Sequence, residues 1–164
     1  MAKRKLALFG GRSIREEPFP PYPVIDDADK AAVVAVLDRG ALSTFGTGPK
    51  GNFAGGIEVQ ALEKEFSTYN SSKFAVSVNS ATAGLHCALA AVGVGPGDEV
   101  IVTPYSMITS ATCVFVTGAV PVFADIDERT FCITAETIRP CITSRTKAIL
   151  MVQLFGHTED MDQI

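Results

Sequence analysis

A short polar turn carries the residue types best suited to bind an anion. It covers residues 79–82 (NSAT), after an apolar run that ends at Val78 and before a small-residue helical pattern over 83–92. The first amides of a helix have no internal hydrogen-bond partner, and the helix dipole is positive at that end. A phosphate placed there would meet these donors, together with the Thr82 hydroxyl. Because Asn, Ser and Thr also cap helices without any ligand, the turn alone favours an ordinary N-cap over a phosphate site.

The elements around this turn alternate between predicted strands and helices. Apolar runs predict strands over 74–78, 99–103, 120–124 and 147–154. Helical patterns follow the strands at 83–92, 106–117, 135–142 and, as a helix just starting, 159–164. This alternation favours an α/β domain with a mostly parallel sheet and flanking helices. Right-handed crossovers bring the turns at 79–83 and 104–110 to one edge of that sheet, where open α/β sheets bind ligands.

The first 56 residues are predicted to form an N-terminal arm, one helix and a glycine-rich loop. An aspartate pair at 26–27 is suited to cap a helix over 29–39. The loop over 41–56 is long and contains Lys50, and its composition indicates a mobile or binding segment. An amphipathic helix over 57–69 then opens the second part of the chain.

Composition argues against several other classes of protein. The net charge of −4 disfavours nucleic acid and anionic membranes as partners. The four cysteines lack a C-x-x-C pair and only two histidines occur, so we expect free thiols in a reducing cytoplasm and no zinc site. The acidic residues Asp125, Asp127 and Glu128 are expected to lie in a solvated loop and not to bind a metal ion.

Three segments resemble the DegT-type, fold-type I aminotransferases, which use pyridoxal 5′-phosphate (PLP) mostly on nucleotide-linked keto-sugars. They cover residues 76–106, 117–134 and 142–164, and their order and spacing match the family. The similarity as a whole runs from about residue 9 to residue 164. It implies that residues 57–164 form part of a large PLP-transferase domain, with the C-terminal part of the enzyme absent.

The resemblance also assigns the phosphate of the cofactor to the turn at 79–83. In the family, the matching residues hold that phosphate through backbone amides and a hydroxyl. The residues so implied are Ser80, Ala81, Thr82 and Ala83.

A second implied contact concerns the cofactor ring. Met107 stands where the family usually has an aromatic residue stacked on the pyridine ring, so its thioether would have to cover the ring. Ser106 or Ser110 would reach the edge of the cofactor, or would only solvate the start of a helix. The Schiff-base lysine and the carboxylate that pairs with the pyridine nitrogen are expected beyond Ile164, so no catalytic residue is assigned within this chain.

The activity implied is transfer of an amino group from an amino acid to a keto-sugar or cyclitol. The resemblance further implies a homodimer with active sites at the subunit interface, with the loop over 41–56 serving the site of the partner subunit. Two alternatives remain within reach of the family: a PLP-dependent sugar dehydratase with histidine in place of the lysine, and a non-catalytic ligand-binding relative. A Rossmann nucleotide-binding domain is a weaker alternative, because no glycine fingerprint follows a predicted strand.

Overall fold

The computed structural model describes residues 5–42 and 55–164. Contacts divide the chain into two compact units, one ending at Lys73 and the other covering Phe74–Ile164. Most of the glycine-rich loop predicted over 41–56, including Lys50, lies outside the described residues. The domain boundary predicted after residue 56 stays a prediction.

The first unit contains two helices, α1 (Asp27–Asp38) and α2 (Ile57–Tyr69). Asp26 caps α1, as predicted, because its carboxylate accepts hydrogen bonds from the amides of Ala28 at 2.8 Å and Asp29 at 3.1 Å. The Asp29 carboxylate in turn accepts from the Asp26 amide at 2.9 Å. Among the described residues of the chain, no helix is both long and apolar enough to cross a membrane.

The second unit contains a parallel sheet flanked by helices, which confirms the predicted α/β fold. Its strands are β1 (Glu99–Val102), β2 (Val120–Phe123) and β3 (Thr146–Leu150), in the spatial order β2-β1-β3. Its helices are α3 (Ala81–Ala91), α4 (Thr109–Val116) and α5 (Ala135–Ile138). β1 pairs in parallel with both neighbours, so it is the central strand of the sheet.

Two of the predicted elements are wrong. Residues 74–78 do not form a strand, and within the described ranges no strand pairs with them. The Phe74 and Val76 residues are 76% and 80% exposed, so the apolar run is not buried in this structure. Residues 159–164, predicted as a helix just starting, contain only a turn over 161–163.

The core lies on both faces of the sheet because β1 is buried throughout its length. Side chains alternate between the faces of a strand. Val100 and Val102 therefore pack with α3 and α4 on one face, where the buried cluster includes Leu89 and Val114. Ile101 packs on the other face, in the buried cluster completed by Ala124, Ile133 and Ile138. Both layers hold the carboxyl end of β1 in a fixed position.

A buried carboxylate joins the amino ends of β1 and β3. Glu99 is 5% exposed, and its carboxylate accepts hydrogen bonds from the Thr143 hydroxyl and the Arg145 guanidinium, with the Arg145 Nε at 2.9 Å. These bonds, first from Thr143 and then from Arg145, hold the pKa of Glu99 below its ordinary value of 4.5. The folded state therefore favours the ionised form of the Glu99 carboxyl.

We expect the stability contributed by Glu99 to depend on pH. A carboxyl whose pKa is lower in the folded state stabilises the protein above its unfolded pKa, and this contribution is lost as the pH falls through the folded value. The melting temperature of the full-length protein should therefore decrease on acidification below pH 4.5. In Glu99→Gln this decrease should be smaller, whereas Glu65→Gln, at an exposed position on α2, should behave like the wild type. Identical acid profiles for Glu99→Gln and the wild type would contradict the role of the charge.

Candidate functional site

The start of α3 is capped by Ser80. The Ser80 hydroxyl accepts a hydrogen bond from the Ala83 amide at 3.1 Å and lies 3.4 Å from the Asn79 side-chain oxygen, to which it donates. α3 begins at Ala81, two residues earlier than the predicted start at 83. The Ala83 amide is therefore bonded to the cap. The amides of Ala81 and Thr82 lie in the first turn of the helix, where no preceding turn supplies a carbonyl to accept their hydrogen bonds.

This helix end fits a phosphate group by the chemistry of its donors. Ala81 and Thr82 are exposed, and the Thr82 hydroxyl makes no hydrogen bond to any residue that the structure describes. The first turn of α3 contains no acidic residue that would repel an anion. Small residues, Ala83 and Gly84, follow and leave room for close approach to the backbone. Binding of phosphate by the set Ser80, Ala81, Thr82 and Ala83 stays a prediction.

The start of α3 lies at the same edge of the sheet as the loop that follows β1. α3 ends at Ala91 and a short connection leads to the amino end of β1 at Glu99. The opposite end of the helix therefore points toward the carboxyl ends of the strands. α4, which begins at Thr109 after β1, packs directly against α3. The crevice predicted between the turns at 79–83 and 104–110 is consistent with this topology.

The loop after β1 presents Met107 on a hydrogen-bonded backbone. The Met107 carbonyl accepts from the Ser110 amide at 3.0 Å and from the Ser106 hydroxyl at 3.3 Å, while the Met107 residue is 72% exposed. Ser110 is buried, and its hydroxyl lies 2.8 Å from that of Ser106. Earlier in the loop, the buried Thr103 hydroxyl accepts from the Tyr105 amide at 3.1 Å. The assignments of Met107 and Ser110 to the cofactor stay predictions.

An aromatic cluster at this edge was not predicted from the sequence. It consists of Tyr105, Phe131 and Phe155, one residue from each of the loops after β1, β2 and β3. The rings of Tyr105 and Phe131 stack with centroids 5.7 Å apart, and Phe155 meets Phe131 edge-on at 6.1 Å. The only sequence signal is that an aromatic residue occurs in the loop after each strand.

Two members of the aromatic cluster have strained backbones. Phe131 and Phe155 adopt φ values of +60° and +55°, in the left-handed region that bulky residues rarely adopt. Such a conformation costs on the order of 1–3 kcal/mol, and each aromatic pair contributes about 0.5–1.5 kcal/mol. The interactions between the rings are therefore of the size needed to offset much of this strain.

An open acidic cleft follows β2. It is lined by Asp125, Asp127, Glu128 and Glu136, with Phe131 beside them. Asp127 accepts hydrogen bonds from the amides of Thr130 at 2.9 Å and Arg129 at 3.0 Å, and these bonds hold its pKa below the ordinary value. Asp127 therefore stabilises a turn. Across residues 5–42 and 55–164, no group of three or more His, Cys, Asp or Glu side chains is placed to hold a metal ion.

Comparison with known proteins decides the family. The model of the DegT/DnrJ/EryC1/StrS aminotransferase family matches residues 25–164. The chain belongs to this family. The resemblance inferred from the three sequence segments is thereby confirmed, and the turn at Ser80 and the loop around Met107 both lie within the matched region of the family.

Individual members of the family show the same similarity. The spore coat polysaccharide biosynthesis protein SpsC of Bacillus subtilis (strain 168) is 44% identical over 148 residues, which are 89% of this chain and 35% of SpsC. The L-glutamine:2-deoxy-scyllo-inosose aminotransferase of Streptomyces lividus is 38% identical over 161 residues, 98% of this chain and 37% of that protein. The chain thus spans about a third of the length of these relatives.

Solved structures of relatives confirm the fold class. NtdA from Bacillus subtilis, crystallised with bound cofactor PMP, superposes with a TM-score of 0.71 at 32% identity. The match covers 93% of this chain and 34% of NtdA. The three-stranded parallel sheet and its helices therefore correspond to part of a larger α/β fold.

Proposed function

We propose that the whole protein is a PLP-dependent aminotransferase that transfers an amino group from an amino acid to a keto-sugar or cyclitol. The observation that carries this proposal is the match of residues 25–164 to the aminotransferase family. The inosose aminotransferase from Streptomyces lividus supports a sugar or cyclitol acceptor. NtdA, with bound PMP, supports the cofactor, since PMP is the amine form of PLP. Glutamate or glutamine is the amino donor that we expect.

The open end of α3 is proposed to hold the cofactor phosphate. The amides of Ala81 and Thr82 and the Thr82 hydroxyl would donate to the phosphate oxygens, where the helix dipole favours negative charge. Ser80 would contribute by keeping the Ala83 amide bonded, which fixes the direction of the first turn. This arrangement supports an anchor for the cofactor at the carboxyl edge of the sheet.

The exposed thioether of Met107 is proposed to cover one face of the cofactor ring. Its carbonyl is fixed by the Ser110 amide and the Ser106 hydroxyl, so the side chain starts from a defined backbone position. The chemistry that PLP supplies when bound is to take up an amino group and withdraw electrons from the reacting carbon. The residues of this chain orient and enclose it, and the lysine that would hold it covalently is proposed to lie beyond residue 164.

The assembly and location of the whole protein are part of the same proposal. We propose a homodimer, because the resemblance implies active sites between two subunits. We propose a cytoplasmic location, because the spacing of the four cysteines predicts free thiols. Sedimentation of the full-length protein, with and without PLP, would test the dimer directly. A monomer at micromolar concentration that still aminates a substrate would contradict the shared site.

Borohydride trapping of the full-length protein with PLP tests the proposed activity. We expect a phosphopyridoxyl label on a lysine beyond residue 164, located by peptide mapping, and release of a keto acid when an amino donor is added. PLP binding without a labelled lysine would contradict transamination and favour the dehydratase or the non-catalytic relative. Absence of PLP binding would mean that the turn at Ser80 is only a helix cap.

A further inference from the structure

We infer that the aromatic cluster of Tyr105, Phe131 and Phe155 positions the loop that presents Met107 to the cofactor ring. This inference rests on the proposed function, because it concerns how that site is held. It assigns to the three aromatic residues a positioning role and no contact with the reacting atoms. None of the three was part of the site predicted from the sequence.

The cluster ties together the loops of three adjacent strands. Tyr105 follows the central strand β1, and Phe131 and Phe155 follow the two strands that flank it. Phe131 is the middle ring, stacked on Tyr105 with an interplanar angle of 28° and meeting Phe155 at 83°. Movement of the loop after β1 would therefore break a contact to the loop after β2, which is itself braced by the loop after β3.

Met107 lies between two anchors of its loop. On the amino-terminal side, two residues earlier, Tyr105 is fixed by its ring stack and by the bond from its amide to the Thr103 hydroxyl. On the carboxyl-terminal side, Ser110 is joined through its hydroxyl to Ser106, the residue immediately before Met107. The exposed side chain between these anchors is therefore attached to a backbone that cannot easily shift.

The backbone strain at two residues of the cluster supports a functional role for it. In the described parts of the chain, three residues other than glycine have positive φ, and two of them are Phe131 and Phe155. Such conformations persist where the surrounding structure fixes them, and they concentrate at functional sites. Because one face of Tyr105 is stacked on Phe131, that face contacts the neighbouring loop and is not open to a ligand.

The inference is tested on the full-length protein by replacing the middle ring. Phe131→Leu removes both ring contacts, and the one that holds the Met107 loop is the stack with Tyr105. The dissociation constant for PLP should rise roughly three- to tenfold, the range expected for the loss of that one pair. The visible circular dichroism of bound PLP reports the asymmetry around its ring. This signal should decrease relative to the wild type, because a loop without its aromatic stack would no longer hold Met107 in one orientation over the ring. Phe131→Tyr keeps the ring and should restore both values.

Phe115→Leu is the matched control, because Phe115 is an exposed phenylalanine on α4 outside the cluster. Phe131→Leu and Phe115→Leu with equal PLP affinity and equal dichroism would overturn the inference while leaving the proposed function intact. A wild-type protein that binds no PLP would overturn both. If Phe131→Leu does not fold, Tyr105→Leu decides the matter in the same way, since Tyr105 is 47% exposed and its replacement removes the same stack from the other side.

Discussion

Replacing Thr82 by valine in the full-length protein is expected to weaken PLP binding roughly 10- to 150-fold. Valine keeps the shape of the side chain and removes its hydroxyl, which no described residue uses as a hydrogen-bond partner. A hydrogen bond to a charged group contributes about 1.5–3 kcal/mol, which gives this range of affinities. The dissociation constant can be measured by fluorescence titration of the protein freed of its cofactor.

The control variants separate the donor from the fold. Thr82→Ser retains a hydroxyl and should bind PLP nearly as well as the wild type. Thr68→Val removes a hydroxyl that donates to the Lys64 carbonyl within α2, so it should leave the affinity unchanged. The stability of α3 should be little affected by Thr82→Val, because Ser80 provides the cap. An affinity of Thr82→Val equal to that of the wild type would remove Thr82 from the phosphate site.

A helix start at this polar turn could be predicted from the sequence, but the residue that caps it could not. A polar turn before a run of small helical residues indicates a helix start whichever residue forms the cap. The structure gives the cap to Ser80 and leaves the Thr82 hydroxyl without a described partner. The order Ser, Ala, Thr does not show which backbone amide the cap binds. If the helix started one residue later, a different side chain would be the cap and a different amide would be bonded to it.

An apolar run in the sequence correctly predicted the central strand β1 but wrongly predicted a strand over 74–78. The run at β1 is apolar on both faces and is buried on both, as a central parallel strand requires. The run over 74–78 is equally apolar in sequence, yet no described strand lies beside it. An apolar run indicates that a segment tends to be buried. A strand also needs a neighbouring strand to form hydrogen bonds with its backbone, and the apolar run does not show which segment that neighbour is.

The aromatic cluster could not have been predicted by any local pattern. Tyr105, Phe131 and Phe155 are separated by more than twenty residues at each step. They meet because β1 pairs with β2 and β3 in parallel, which brings the loops after the strands to one edge. The left-handed backbone at Phe131 and Phe155 is also unexpected, since that region favours glycine and asparagine. Contacts of this kind depend on register and loop geometry together.

The largest expected effect on stability comes from Ile101→Ala in β1. Ile101 is fully buried in the central strand and packs in the cluster with Ala124, Ile133 and Ile138. Truncating a buried isoleucine removes its transfer free energy and leaves a cavity, so the free energy of unfolding should decrease by about 2–5 kcal/mol. Urea unfolding of the full-length protein would show this as a lower midpoint with an unchanged slope.

Val120→Ala is the appropriate comparison, because Val120 lies in the neighbouring strand β2 but is 53% exposed. Its truncation removes a β-branched side chain from the same sheet without opening a comparable cavity, so the decrease should be under about 1 kcal/mol. Since Ile101 lies on the opposite face from the helices α3 and α4, its loss should destabilise the fold while PLP affinity of the folded protein is retained. Equal losses of stability in the two variants would mean that β1 is not the buried centre of the sheet.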